Sequence, residues 1–260
     1  MVTICIVNQK GGCSKTSTAV NLASILAEKG YKTLLIDMDQ QGNASGSLNN
    51  IDNFNSPTIY DVLHSGTALE LAVLETGIVN LYMIASNIMT AKLEREMSKI
   101  TGCEEILLKT LKESVNVQQC FNFCIIDCPP SLGALSTNAL VASDYSIIPV
   151  QPGIFALEGV NSLLDTISAI KEEYGKPDIL GLLLSFFDAR TTMSHKMKKD
   201  LKNTGLLFNT IIRVSQAIPK AQALKLPVNI YEENSRGSID YTNLANEVIK
   251  KLGVGGAYGC

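Results

Sequence analysis

The 260-residue sequence predicts a single-domain α/β fold, with a mostly parallel twisted sheet and helices on both faces. Three observations support this prediction. Short apolar runs rich in β-branched residues alternate with amphipathic runs of helical length. A glycine-rich loop joins the first apolar run to the first helix, and two later apolar runs end in aspartate. Because strands and helices alternate, we expect parallel strands joined by right-handed crossovers.

Composition places the chain among globular proteins, since 46% of its residues are hydrophobic and 18% are charged. We expect residues 1–252 to form one domain and the glycine-rich residues 253–260 to form a flexible tail. Seven cysteines without a leader segment favour a reducing cytoplasm. No apolar run has the length of a membrane span. The net charge of −3 gives no sign of a nucleic-acid partner, although a local basic patch would suffice for one.

The first predicted strand and helix flank a glycine-rich loop. Strand residues Val2–Val7 and helix residues Ser17–Lys29 enclose the loop Asn8–Thr16. Glycines let a loop curl with its N–H groups pointing inward, and the following helix directs its positive dipole end at the same point. The alternative is a solvated turn, which would not need these flanking elements. Strand, loop and helix together predict a phosphate-binding loop.

The side chains of this loop suit a nucleoside triphosphate and Mg²⁺. Lys15 is placed to reach the β- and γ-phosphates, and the Thr16 hydroxyl is placed to coordinate Mg²⁺. The loop departs from the standard pattern because Ser14 replaces its last glycine and Lys10 its first. The predicted nucleotide-binding residues are Lys10, Gly11, Gly12, Cys13, Ser14, Lys15, Thr16 and Ser17.

Two aspartates follow the second predicted strand, Lys32–Asp37. Asp37 and Asp39 stand at the carboxyl end of this strand, where ligands bind in open α/β sheets. Residues two apart on an extended chain point the same way, so both carboxylates are expected to face the phosphate-binding loop. The alternative interpretation is a solvated turn.

The middle of the chain carries no recognisable chemistry. Ser56 is expected to cap a short helix that ends at His64. A strand is expected over Val79–Ala85 and a helix over Met89–Val115, with a possible break at Gly102.

The next clear strand, Phe121–Asp127, ends in the second nucleotide signature. The Asp127 carboxylate is expected to hold Mg²⁺, directly or through water, and the loop after it to sense the γ-phosphate. Cys120, Cys124 and Cys128 recur every fourth residue, a spacing that does not converge on one metal ion along a strand. We therefore expect these three cysteines to pack in the core.

The remaining chain continues the alternation of strands and helices. The predicted strands are Tyr145–Val150 and Ile179–Phe187, and the predicted helices are Ala134–Ala142, Leu157–Tyr174, Met193–Asn203 and Ser238–Leu252. The helix Met193–Asn203 is basic, and it includes Lys198 and Lys199. Taken alone, this basic helix is equally consistent with an ordinary solvated face.

Four stretches resemble the ParA/MinD family of partition and positioning ATPases, and the likeness covers nearly the whole chain. They are the loop K-G-G-x-x-K-T from Lys10, the turn D-x-D-Q-Q-G-N from Asp37, D-C-P-P-S-L-G from Asp127, and R-V-S-Q-A from Arg213. The turn has Gln40 where the family has proline. The last stretch has Gln216 in place of an acid and Ile218 inserted before Pro219, in a loop expected to border the adenine.

The resemblance implies a P-loop ATPase that uses ATP and Mg²⁺. It implies that Lys10 reaches the other subunit's ATP across an ATP-dependent homodimer, that Asp39 orients the attacking water, and that Asp37 supports the metal site. Lys10, Lys15 and Asp39 are the expected catalytic residues. The expected contacts to non-specific DNA are Arg190, Arg213, Lys198 and Lys199, since loop arginines beside a basic helix suit DNA phosphates.

A ParB-like centromere-binding protein is the partner that the resemblance implies, and the ATP-bound protein is expected on the nucleoid of the cytoplasm. One alternative is a MinD-like membrane-associated ATPase, but Val248–Leu252 followed by glycines offers little apolar surface for a membrane anchor. A relative that positions another cargo would share the same ATPase core. An ATP-dependent ligase has no second-substrate motif here, and an iron–sulfur reductase would have only Cys103 and Cys128 as candidate ligands.

Overall fold

The computed structural model describes residues 1–48, 56–97 and 99–255. Within these residues one sheet contains seven strands, in the order β3-β4-β2-β5-β1-β6-β7. The strands are β1 (Val2–Ile6), β2 (Thr33–Asp37), β3 (Leu74–Glu75), β4 (Leu81–Ile84), β5 (Phe123–Asp127), β6 (Tyr145–Val150) and β7 (Asp178–Leu184). Only the pairing of β3 with β4 is antiparallel among the described strands. The predicted α/β class with a mostly parallel sheet is confirmed.

Helices cover both faces of this sheet. They are α1 (Lys15–Glu28), α2 (Asn43–Gly46), α3 (Ile59–Ser65), α4 (Leu69–Ala72), α5 (Thr90–Met97), α6 (Ile106–Glu113), α7 (Val115–Cys120), α8 (Ala134–Ala142), α9 (Ala156–Tyr174), α10 (Thr192–Lys202), α11 (Ala217–Ala223), α12 (Val228–Tyr231) and α13 (Arg236–Leu252). In the described part of the chain, every helix is too short or too polar to cross a bilayer.

Two apolar cores lie on opposite faces of the sheet. Successive strand residues point to opposite faces, so β1 contributes Ile4 and Ile6 to one core and Cys5 to the other. The first core packs against α1 and α13, and the second packs against α5 to α10. Because both faces are covered, the central strands β2 and β5 are buried at every position, which explains their continuous apolar sequences.

The cap of α3 differs from the prediction. Thr58, not Ser56, precedes the helix, and its N–H and hydroxyl donate to Asp61 Oδ2 at 2.7 and 2.9 Å. A capping box needs an acidic or amide side chain three residues after the cap, and Ser56 has Ile59 there.

The helical stretch predicted over Met89–Val115 is interrupted around the predicted break at Gly102. The chain forms α5, a 3₁₀ turn over Cys103–Glu105, and then α6. Gly102, the predicted break, has a φ of 76° in the left-handed region. Cys120 is exposed, contrary to the prediction, because it ends helix α7 instead of lying on the strand.

Other boundaries also differ from the predictions by a few residues. Strand β7 ends at Leu184 rather than Phe187, since Phe186 has a left-handed φ of 53°. The last helix begins two residues early, with the Ser235 hydroxyl accepting from the Ser238 N–H. At the predicted tail, Val254 still packs against the core and Gly255 O accepts from the Tyr31 hydroxyl. Residues 256–260 of that tail lie outside the described residues.

Candidate nucleotide-binding site

The sheet brings the sequence signatures to one edge. Strands β2, β5 and β1 are neighbours, and their carboxyl ends carry Asp37, Asp127 and the glycine-rich loop. The parallel register pairs Asp127 with Asp37 on one side and with Ile6 on the other. Residues that are 90 positions apart in sequence therefore face each other, as ligand sites at the switch point of an α/β sheet do.

The glycine-rich loop turns through two left-handed residues. Gly12 and Ser14 both have a φ of 72°. A Cβ added at Gly12 would meet no atom within 4 Å, so this position needs glycine for its backbone conformation alone. Ser14 adopts the same conformation with a side chain, which costs about 1–2 kcal/mol. Its hydroxyl is buried and has no hydrogen-bond partner among the described residues.

Lys15 lies across its own loop. Its side chain is only 6% exposed, and Nζ donates to the Lys10 carbonyl at 3.1 Å. The Cys13 thiol donates to the same carbonyl at 3.0 Å, and burial raises its pKa. These two bonds hold the loop closed around the first turn of α1.

Lys10 lies on the outer side of the loop. It is exposed, and a Cβ added at Gly153 would lie 3.5 Å from Lys10 Nζ. The neighbouring Ile154 and Phe155, between β6 and α9, are 79% and 73% exposed. Lys10 thus sits beside an exposed apolar pair on the outer side of the loop, and it does not line the cavity that contains Lys15.

The Asp127 carboxylate is buried without a hydrogen-bond donor. Neither oxygen has a partner within the described chain. Burial, followed by the charge of Asp37, raises the pKa of Asp127 well above its usual value. The nearby Thr16 hydroxyl favours the ionised form of Asp127, although it makes no hydrogen bond of normal geometry. Two unsatisfied carboxylate oxygens beside a hydroxyl are hard oxygen ligands, so these residues fit Mg²⁺.

Asp37 is occupied by the turn that follows it. Its Oδ1 accepts from the Asp39 N–H at 3.0 Å, and its Oδ2 accepts from the Ser45 N–H and hydroxyl at 2.8 and 2.7 Å. Burial raises the pKa of Asp37 to about 6, against these hydrogen bonds. The carboxylate therefore fixes the Asp39 turn and anchors α2. Asp39 Oδ1 accepts from the Gln41 N–H at 3.0 Å, and Asp39 lines the cavity with Lys15.

Two adjoining cavities extend from the loop. The first, the phosphate cavity, measures about 380 Å³ and is lined by the loop together with Asp39 and Pro130. The second, the apolar cavity, measures about 270 Å³. Phe186 and Gln222 line both cavities, which therefore connect. Neither residue was predicted from the sequence, because the position of Phe186 depends on a left-handed backbone and that of Gln222 on how α11 packs.

The segment with the inserted isoleucine forms one wall of the apolar cavity. Ser215, Gln216 and Ile218 line it, as expected for a loop beside a base. A Cβ added at Gly237 would lie 2.7 Å from Ile218 Cγ1, so the first turn of α13 packs tightly against this loop. The insertion is accommodated by this contact.

The predicted DNA-binding arginines meet at a third cavity, the arginine cavity, which is lined by Arg190, Arg213 and Arg236. Its volume is about 360 Å³. Asp188 accepts from Arg190 Nε at 2.9 Å, and Asp240 accepts from Arg213 Nε at 3.0 Å. Arg236 was not predicted as a DNA contact.

The predicted lysines lie on the adjoining helix α10. Lys198 and Lys199 are exposed, and Lys198 Nζ sits 5.7 Å from the centroid of the Phe187 ring. Phe187 also lines the arginine cavity, so the basic helix borders it.

Comparison with known proteins identifies the family of this chain. A family model described as AAA domain matches residues 1–179. The sporulation initiation inhibitor protein Soj of Bacillus subtilis strain 168 is 37% identical over 94% of this chain and 97% of that protein. The chromosome partitioning protein ParA of Caulobacter vibrioides NA1000 is 33% identical over 95% of this chain and 94% of that protein.

A solved structure shows the same fold with nucleotide bound. Cobyrinic acid a,c-diamide synthase from Mycobacterium smegmatis, with bound ATP analogue and magnesium, has a TM-score of 0.81 and 27% identity. The match covers 98% of this chain and 96% of that one. The phosphate loop, the two strand-end aspartates and these full-length matches agree, and the chain belongs to the ParA/Soj family of P-loop ATPases.

Proposed function

We propose that this ATPase partitions DNA by cycling between an ATP-bound dimer that holds DNA without sequence preference and a form that has released it. The observation that carries the proposal is the divergence of the two loop lysines. Lys15 is buried within the phosphate cavity, whereas Lys10 projects from the outer side of the loop beside Ile154 and Phe155. A lysine so placed is suited to reach the nucleotide of a second molecule.

Nucleotide binding uses groups that are already oriented. Lys15 exchanges the Lys10 carbonyl for the β- and γ-phosphates, and Thr16 and Asp127 would hold Mg²⁺. When bound, Mg²⁺ would neutralise part of the phosphate charge. Asp39 orients the attacking water from the turn that Asp37 fixes. Catalysis of this kind rests on position and charge, and so it responds strongly to small shifts of these groups.

Dimerisation would complete each site. Two chains meeting through their loop faces bury Ile154 and Phe155 and bring each Lys10 to the partner's phosphates, in the role that an arginine finger has elsewhere. Since the γ-phosphate attracts this lysine, the dimer is stable with ATP and weak with ADP. Whether ATP or ADP is bound therefore controls dimerisation.

DNA binds the dimer through Arg190, Arg213, Lys198 and Lys199, with contacts to phosphates alone. A ParB-like centromere-binding protein stimulates hydrolysis, the dimer opens, and DNA is released. The protein is thus cytoplasmic and associated with the nucleoid while ATP is bound. The similarity to the chromosome partitioning protein ParA supports the proposed role in DNA partition.

The test measures fluorescence anisotropy of a mixed-sequence DNA duplex with ATP, with ADP and without nucleotide. We expect binding with ATP only, with an affinity that falls steeply as salt rises. Equal binding in all three states would contradict the proposal. ATP-dependent sedimentation with anionic liposomes, in the absence of DNA binding, would identify a MinD-like membrane ATPase instead.

A further inference from the structure

The three arginines of the arginine cavity are not electrostatically equivalent. The Arg190 Nη2 lies 2.7 Å from Asp188 Oδ2, so this pair is close to neutral. Arg213 forms a two-pronged ion pair with Asp240, whose side chain is only 5% exposed. The pair also includes the Arg213 N–H, which donates to Asp240 at 2.9 Å. Asp240 therefore fixes both the backbone and the guanidinium of Arg213.

Arg236 has a different environment. It is the first residue of α13, and it is exposed. Its guanidinium has no ion-pair or hydrogen-bond partner among residues 1–48, 56–97 and 99–255. The net positive charge of the three arginines at this cavity therefore comes from Arg236, because Asp188 and Asp240 balance the other two.

The position of Arg236 is fixed by its neighbours even though its side chain is free. The Ser235 hydroxyl caps α13 by accepting from the Ser238 N–H at 3.2 Å. Gly237 packs against Ile218 so closely that a Cβ would not fit. Arg236 therefore has a fixed backbone and a guanidinium without an acidic partner in the described part of the chain. Such an arginine is suited to bind an anionic ligand.

We propose that the arginine cavity is a binding site for a DNA backbone phosphate, in which Arg236 makes the charge-neutralising contact beside Arg190 and Arg213, and Asp240 is the residue that positions Arg213. This assignment rests on the DNA binding of the proposed function. A phosphodiester fits the cavity because three guanidinium groups line it, and the carboxylate in its lining, Asp188, is already paired with Arg190. It is continuous with α10, whose exposed lysines extend the same charged surface.

The experiment compares wild type, Arg236→Ala, Arg236→Lys and the control Lys112→Ala by anisotropy with a mixed-sequence duplex, a non-hydrolysable ATP analogue and Mg²⁺. Lys112 is an exposed lysine on α6, on the opposite face of the sheet from α13. We expect Arg236→Ala to weaken binding about tenfold and to reduce the slope of log affinity against log salt by about one. Arg236→Lys should restore the slope and part of the affinity, and Lys112→Ala should match wild type.

Each other outcome has a distinct meaning. If Arg236→Ala binds DNA with the wild-type affinity and salt slope, the assignment of the cavity is wrong and the proposed function stands. If wild type does not bind DNA with the ATP analogue, both fail together. Inorganic phosphate at constant ionic strength should not displace the duplex, and displacement would overturn the assignment by indicating a site for a free anion. Circular dichroism melting of each variant identifies any loss that comes from unfolding.

Discussion

At the residue scale, the two loop lysines separate nucleotide binding from assembly. Lys15 is buried and already bonded within its own loop, whereas Lys10 is exposed beside Ile154 and Phe155. We expect Lys15→Ala to lose binding of a fluorescent ATP analogue. Lys10→Ala should keep that affinity within about twofold but lose the ATP-dependent dimer, measured by light scattering. Retention of the dimer by Lys10→Ala, with the neighbouring Gln9→Ala as control, would contradict the role of Lys10.

The strand-end aspartates predict a pH effect on the ligand-free protein. Burial raises the pKa of Asp37 from 3.8 to about 6, and it raises the pKa of Asp127 further above the usual range. The folded state therefore binds more protons than the unfolded chain from about pH 4 upward. Stability that these groups contribute is lost as pH rises through their folded pKa values.

Asp127→Asn removes one of the two buried charges that cause this loss. We expect the ligand-free variant to be more stable than wild type by about 1–3 kcal/mol near pH 7.5, with the difference shrinking toward pH 5.5. The variant should also lose the stabilisation that Mg²⁺ and ADP give the wild type. Thermal melting at the two pH values, with and without Mg²⁺–ADP, measures both effects. A difference that grows as pH falls would refute this account.

At the element scale, helix α8 depends on a carboxylate from α5. Glu94 Oε2 accepts from the Leu135 N–H at 2.9 Å, at the start of α8. A Cβ added at Gly133 would collide with the same carboxylate. The chain between Asp127 and α8 is the loop expected to sense the γ-phosphate, so Glu94 fixes its far end to α5.

This contact predicts that the effects of Gly133→Ala and Glu94→Ala on the free energy of unfolding are not additive. Gly133→Ala should displace Glu94 and cost about 1 kcal/mol, similar to Glu94→Ala, because each removes the cap of α8. The double variant should cost no more than Glu94→Ala alone, since the collision is then absent. Urea denaturation of the four proteins gives the coupling free energy. Additive losses would mean that the two residues act independently.

At the scale of the whole molecule, the sequence predicted the fold because the information was local or periodic. The run Thr33–Asp37 has a continuous apolar centre, and the Lys10–Thr16 loop lies between a predicted strand and a predicted helix. The position of Asp37 and Asp127 at one sheet edge followed from parallel strands alone.

The rest depended on contacts between distant segments. The residues next to Phe186 in sequence do not predict its left-handed backbone or its position between two cavities. Asp240 lies 27 positions from Arg213, so the ion pair that neutralises a predicted DNA contact was not visible in either stretch. The same folding step brought Arg236 to the arginine cavity. The charge and position of the arginines therefore depend on pairing between distant segments, which the sequence motifs do not reveal.

The cavities also predict a direct coupling between binding of the ATP base in the apolar cavity and binding of DNA at the arginine cavity. Arg213 and Val214 line both the apolar cavity and the arginine cavity, so one stretch of backbone separates them. If binding of either ligand orders this stretch of backbone, it should raise the affinity for the other ligand. Thermodynamic linkage requires that nucleotide raise DNA affinity by the same factor by which DNA raises nucleotide affinity. Asp240→Asn weakens the ion pair that holds the wall.

We expect Asp240→Asn to reduce the mutual enhancement of ATP-analogue and DNA affinity by about 3- to 10-fold, within the usual range of coupling between sites. Arg236→Ala should lower DNA affinity and leave analogue affinity without DNA unchanged, because Arg236 lines only the arginine cavity of the two. Titration of the analogue with and without saturating duplex measures the coupling in each variant. If Asp240→Asn lowers both affinities yet preserves their mutual enhancement, the shared wall supports the fold without transmitting binding, and the link between the sites runs through dimerisation alone.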